Sequence, residues 1–149
     1  MSIIRGMTIE DFGPGAAAAL RIVRMAAAGR CRCCAVPPAQ ETTEFGGLRV
    51  AALAHALARA LGVAGGRALV LGTPSCSAVT VDEFGVIAAL AAAQAGDGAR
   101  RNAHVAWLAA GKGEIEIRGA AEALAEAFSD LGLGIALPAT PPHILSAAQ

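Results

Sequence analysis

Thr80-Val81-Asp82-Glu83-Phe84-Gly85-Val86-Ile87-Ala88-Ala89-Leu90-Ala91 is the stretch from which the fold is read. Thr-x-x-Glu ahead of an apolar run is a capping box. The Thr80 hydroxyl accepts from the Glu83 amide, and the Glu83 carboxylate accepts from the Thr80 amide, so two donors orphaned at a helix start are satisfied. The box predicts a helix over 82–95 that buries Phe84, Ile87, Leu90 and Ala91, with Gly96-Asp97-Gly98 turning the chain after it.

Downstream, a helix over 99–110 sets Ala103, Trp107 and Ala110 on one side and stops at Gly111. Glu114-Ile115-Glu116-Ile117 alternates and predicts a small edge strand with solvated glutamates. A helix over 119–131 follows, with Leu124, Phe128 and Leu131 inward and Glu122 and Glu126 outward. Upstream, the apolar run 67–71 fits either a strand or one buried helical turn. A helix over 47–61 repeats Leu53, Leu57 and Leu61, and Leu48 and Val50 extend its apolar side. The first helix, 16–28, opens after Gly13-Pro14-Gly15 and ends at Gly29, where a left-handed cap is expected. Leu20, Val23 and Ala27 share one of its faces, and Arg21 and Arg24 take another. The expected fold class is therefore all-α (mainly): a compact bundle of four to five short helices with room for one or two very short strands. Residues 1–14 form an N-terminal segment, 15–131 the helical domain with a Cys/Pro-containing loop at 30–46, and 132–149 a Pro-rich tail, loosely attached or lying against a partner.

Composition narrows the class. The 149 residues suffice for one domain, and 38 of them are alanine, with four phenylalanines, one tryptophan and no tyrosine. Too few β-branched and aromatic residues remain for an all-β sandwich. Mean hydropathy is +0.54, which raises the question of a membrane span. The best apolar stretch, 48–61, is cut by Arg49, His55 and Arg59, and 84–95 ends after a dozen residues, short of the roughly 20 a span needs. The first eleven residues carry Arg5, Glu10 and Asp11 and lack the apolar core of a signal peptide, so a cytoplasmic location is expected. Net charge is zero, which gives no reason to expect a nucleic-acid partner. The distribution is uneven: residues 1–67 carry eight arginines against Glu10, Asp11, Glu41 and Glu44, a balance of +4, and residues 68–149 are −4. Two halves packing through complementary charges is the simpler reading; a basic patch for an acidic partner or phosphate is the other.

Chemistry concentrates on cysteine. Cys31-Arg32-Cys33-Cys34 puts three thiols beside Arg30 and Arg32, whose charge favours thiolate, and Cys76 is the fourth. Cys31, Cys33, Cys34 and Cys76 are the candidate ligands for zinc or iron, although one C-x-x-C plus a lone cysteine is half of the usual pattern, and nothing requires His55 or His104 to complete it. A thioredoxin-like redox site is disfavoured because this C-x-x-C follows a helix instead of opening one. Cys76 lies just ahead of the capped helix, where the helix dipole favours thiolate if the sulfur points along the axis. Residues 62–67 lack the lysine and Ser/Thr of a P-loop, and Asp11-Phe12-Gly13 lacks every companion motif of a kinase. His104, between apolar neighbours, reads as a half-buried imidazole rather than a base.

Leu20-Arg21-x-x-Arg24-Met25-Ala26-Ala27 and the segment 74–83 resemble a family of short, alanine-rich bacterial proteins of unknown function, over residues 15–135. In that family the segment ahead of the capped helix is cysteine-rich and followed by Thr-x-Asp-Glu. Here Thr80-Val81-Asp82-Glu83 matches, and Cys76 alone stands upstream, which directs attention to that thiol. The resemblance implies no activity. The expected function is that of a small, non-catalytic accessory or regulatory protein acting through protein–protein binding, with another protein or with itself. The alternative is a thiol-based metal or redox protein.

Overall fold

The Thr80 box forms as expected: Thr80 Oγ1 accepts from the Glu83 amide at 3.1 Å, and the Thr80 amide donates to Glu83 Oε2 at 2.9 Å. It starts a helix at Val81 and is part of a computed structural model that describes residues 3–28 and 47–138. In chain order the elements are β1 (Ile3–Thr8), a 3-10 turn (Ile9–Asp11), α1 (Pro14–Ala28), α2 (Leu48–Arg59) prolonged by a π turn (Ala60–Ala64), β2 (Ala78–Thr80), α3 (Val81–Gln94), α4 (Gly98–Ala109) and α5 (Glu114–Asp130). The protein is mainly α-helical, with five helices and one two-stranded sheet among the described residues.

The capped helix, α3, is the central one. It is apolar almost all round, the pattern of a helix buried on every side, and Val86, Ile87, Ala88, Ala89 and Leu90 are buried. Phe84 and Ala91 sit half-buried against the same core. Against α3 pack α1, α4 and α5, and α2 closes the bundle between α1 and α5. Leu20, Leu57, Leu108, Leu124 and Phe128 fill the centre.

Several sequence expectations are corrected. Residues 114–117 are helical, not a strand. The Ile117 amide bonds back to the Gly113 carbonyl at 3.0 Å, Ile117 is buried and Ile115 is 74% exposed. Two isoleucines two residues apart share a strand face but lie on opposite sides of a helix, and Glu114 and Glu116 suit the positive end of the helix dipole. Residues 68–73 form neither strand nor helical turn. On α4 the side that carries Trp107 faces outward, and Val105, Leu108 and Ala109 face the core. Leu48 is 77% exposed and Leu131 is exposed as well, so neither joins the core.

Both chain ends of the described region belong to the fold. β1 pairs antiparallel with β2 through Ile3–Thr80 and Thr8–Ala78, with an irregular register between. Asp11 caps the following turn by accepting from the Thr8 amide at 2.7 Å. The first residues of the tail are docked on their own chain. Gln94 Nε2 donates to the Leu133 carbonyl at 2.9 Å, Gln94 Oε1 accepts from the Ile135 amide at 2.6 Å, and Ile135 is buried. The Gly134 carbonyl sits 2.1 Å from where a side chain on Gly15 would begin, so only glycine lets α1 pass there.

Candidate functional site

Two places in the fold gather charge. The first is a buried latch around the capping box. On α1, Arg24 sits about 40° of helical rotation from Leu20, inside the apolar arc, given 3.6 residues per turn, and not on a separate face with Arg21 as the sequence suggests. Its side chain and that of Glu83 have 0% exposure. Arg24 Nε donates to Glu83 Oε1 at 2.6 Å and Nη2 to Oε2 at 2.9 Å, a bidentate fork. The same guanidinium donates to the Cys76 carbonyl and, at 2.8 Å, to the Ala78 carbonyl.

The three polar residues of Thr80-Val81-Asp82-Glu83 each do two jobs or more. Glu83 caps α3 and also accepts from the Gly72 amide at 2.6 Å. Thr80 Oγ1 donates to the Val70 carbonyl at 2.7 Å. Asp82 accepts from the Val70 amide at 2.7 Å and from Arg67 Nη2 at 2.9 Å. Segment 68–73 is thus held at Val70 and Gly72 by side chains rather than by a sheet or helix ladder. Arg67 also stacks its guanidinium 4.5 Å from the Trp107 ring centre. Among the described residues no buried side-chain nitrogen or oxygen lacks a partner. With both Glu83 oxygens bonded and out of solvent, the latch ties 68–80 to α1 and to the start of α3.

The second place is a groove between α2 and α5. These helices run antiparallel: Arg49 at the start of α2 pairs with Asp130 at the end of α5 at 2.8 Å, in solvent. At the other end a cavity of about 530 Å³ opens, lined by Ala56, Arg59, Ala60, Val63 and Ala64 on one wall and Ile115, Glu116, Gly119 and Ala120 on the other. Small residues keep the floor low, and Val63 (62% exposed) and Ile115 stand out at its rim. Leu48, Ala52, Ala56 and Val63 are all outward-facing, at the helical spacing of a second apolar stripe that Arg59 interrupts. α2 contains no acidic residue, whereas α5 exposes Glu114, Glu116, Glu122, Glu126 and Asp130. Two smaller hollows of about 310 and 270 Å³ flank Leu69 and Leu71, one of them walled by Arg24, whose donors are engaged in the latch.

The uneven charge of the two halves is realised as complementary packing. Arg24–Glu83, Arg49–Asp130 and Arg67–Asp82 all join residues 1–67 to residues 68–149. Cys76 is half-buried, and its Sγ lies 3.8 Å from the Ala78 carbonyl. Cys31, Cys33 and Cys34 lie outside the described residues, as does the loop 30–46. Among the described residues no three His, Cys, Asp or Glu side chains converge in a way that could hold a metal. His104 is half-buried on α4, and its pKa is lowered below 6.5 by burial first and by the charge of Arg100 second. No described helix is long and apolar enough to cross a membrane.

Sequence reasoning quoted both halves of the latch, Arg24 and Glu83, without joining them. The available signal was Arg24 at i+4 from Leu20 within the apolar arc. The groove has a signal too, the line from Leu48 to Val63, but in the sequence Leu48 reads equally as an extension of the apolar side that carries Leu57. No protein-family model matches the chain, and searches of curated proteins and of solved structures give no match.

Proposed function

We propose that this protein is a non-catalytic accessory or regulatory protein that acts by binding protein through the α2–α5 groove. The observation that carries the reading is the groove itself, where Val63 and Ile115 stand exposed over a floor of alanine and glycine between a basic and an acidic helix. Apolar side chains rimmed by charge are the usual make-up of a docking surface. The non-catalytic part is supported by the latch, whose buried charges are all engaged in holding the chain.

The test is a photo-crosslinking residue placed at position 115 in the native host, with position 100, exposed on α4, as the control. A covalent adduct to a defined protein from 115, absent from 100, is the expected result. Equal labelling from both positions, or none from either, overturns the proposal.

A further inference from the structure

We infer that the occupant of the α2–α5 groove is a second copy of this chain, related by a two-fold axis that lays each copy's α2 on the other's α5. The inference rests on the reading of the groove as a protein-binding surface and names its partner.

A two-fold interface uses one patch twice, so the patch must be complementary to itself. This one is. Arg59 stands on one wall and Glu116 on the other; both are exposed, and neither is ion-paired among the described residues. A two-fold axis along the groove sets Arg59 of each copy against Glu116 of the other and satisfies four charges with one operation. The same axis brings the acid-free α2 against the α5 wall that carries Glu116. Apolar shape follows the same symmetry. Val63 and Ile115 project from opposite walls, and Ala56, Ala60 and Gly119 leave the hollow into which the partner's pair can seat. Such small residues let helix axes approach at the short end of the usual ~8–10 Å range.

The experiment is sedimentation velocity on the full chain over a range of concentrations, using wild type, Arg59→Glu, Glu116→Arg and an equimolar mixture of the two variants. Wild type is expected to sediment as a dimer of the 14.8 kDa chain. Each reversal alone places like charges in both halves of the interface and weakens association about a hundredfold. The mixture restores the dimer, because a heterodimer of the two variants again pairs opposite charges at both positions. Both sites are exposed, so circular dichroism of each variant stays that of wild type. A wild type that remains monomeric at every concentration overturns the inference. So does a dimer indifferent to both reversals, or a mixture that fails to recover.

The crosslink at position 115 separates the two levels. An adduct to a different protein, with a monomeric wild type, rejects the second copy and keeps the groove as a binding surface. An adduct within the same chain, with a monomeric wild type, rejects both.

Discussion

At Glu83 a carboxylate with no exposed surface accepts hydrogen bonds from Arg24 Nε and Nη2 and from the Gly72 and Thr80 amides. At Glu116 the same chemical group stands in solvent beside exposed Ile115, without an ion pair among the described residues. The contrast shows that a charge's place in the fold, more than its residue type, decides whether it holds the chain or is left for contact. A buried charge has to be bonded on every side because desolvation is costly and only local partners offset it. An exposed charge is already served by water, so its cost is nearly zero and it remains available to an incoming partner.

Breaking each side of that contrast gives the largest difference. Glu83→Ala leaves the Arg24 guanidinium buried without its counter-charge and removes a cap, so it is expected to cost about 3–5 kcal/mol. Glu116→Ala is expected to change folding stability by no more than about 0.5 kcal/mol. Chemical denaturation with both variants checks this, and similar midpoints would erase the distinction. Combining Arg24→Met with Glu83→Ala should cost less than the sum of the two single changes, because the second change removes a charge already stranded by the first.

A pair of glycines sharpens the same comparison. A Cβ on Gly72 would lie 2.9 Å from Arg24 Nη2, and Arg24, tied by four bonds, has no free rotamer to retreat into. Gly72→Ala is therefore expected to destabilise by about 1–3 kcal/mol. Gly119, in the groove wall, has nothing within 4 Å of such a Cβ. Gly119→Ala is expected to stabilise α5 by roughly 0.5–1 kcal/mol through helix propensity. Melting temperatures moving in opposite directions would bear this out; a shift of the same sign in both would contradict it.

A smaller effect is expected at the box itself. Thr80→Ala removes the acceptor for the Glu83 amide and the donor to the Val70 carbonyl, costing about 1–2 kcal/mol. Thr80→Ser keeps both bonds and should recover most of that loss in the same denaturation experiment.

The smallest effect lies on α4. Burial and Arg100 hold the His104 pKa below 6.5 in the fold, so as pH falls the unfolded chain takes up the proton first. The unfolded state then binds more protons, and stability falls with falling pH, starting near 6.5 and continuing to the lowered folded value. His104→Gln should flatten the melting-temperature profile between about pH 7.5 and 5.5. An unchanged slope would show that the imidazole is no more buried than a surface histidine.

Much of this fold is readable along the chain. The box at Thr80 and Glu83, the Asp97 side chain accepting from the Arg100 amide at 3.1 Å, and the turn at Gly96 all act over three or four residues, so α3 and α4 are found within a residue of their ends. The strand expected at 114–117 fails for a physical reason. Four alternating residues satisfy a period of 2 and a period of 3.6 about equally well, and only the burial of Ile117 against the bundle separates them. The groove was half legible, since the Leu48 to Val63 line is visible in the sequence, but which of two apolar faces on α2 meets the core depends on where α1 and α5 lie.

By itself, then, the sequence determined a mainly helical chain with most of its helix boundaries and a charge imbalance between its halves, because capping, glycine stops and composition are local or additive. Tertiary structure alone decided that Arg24 is buried against Glu83, that Ile3 pairs with Thr80, that the start of the tail docks beside Gly15, and that Arg59 and Glu116 line opposite walls of one groove. Each of these joins positions 57 to 119 residues apart, and contacts at such separations depend on the packing of whole helices rather than on neighbouring residues.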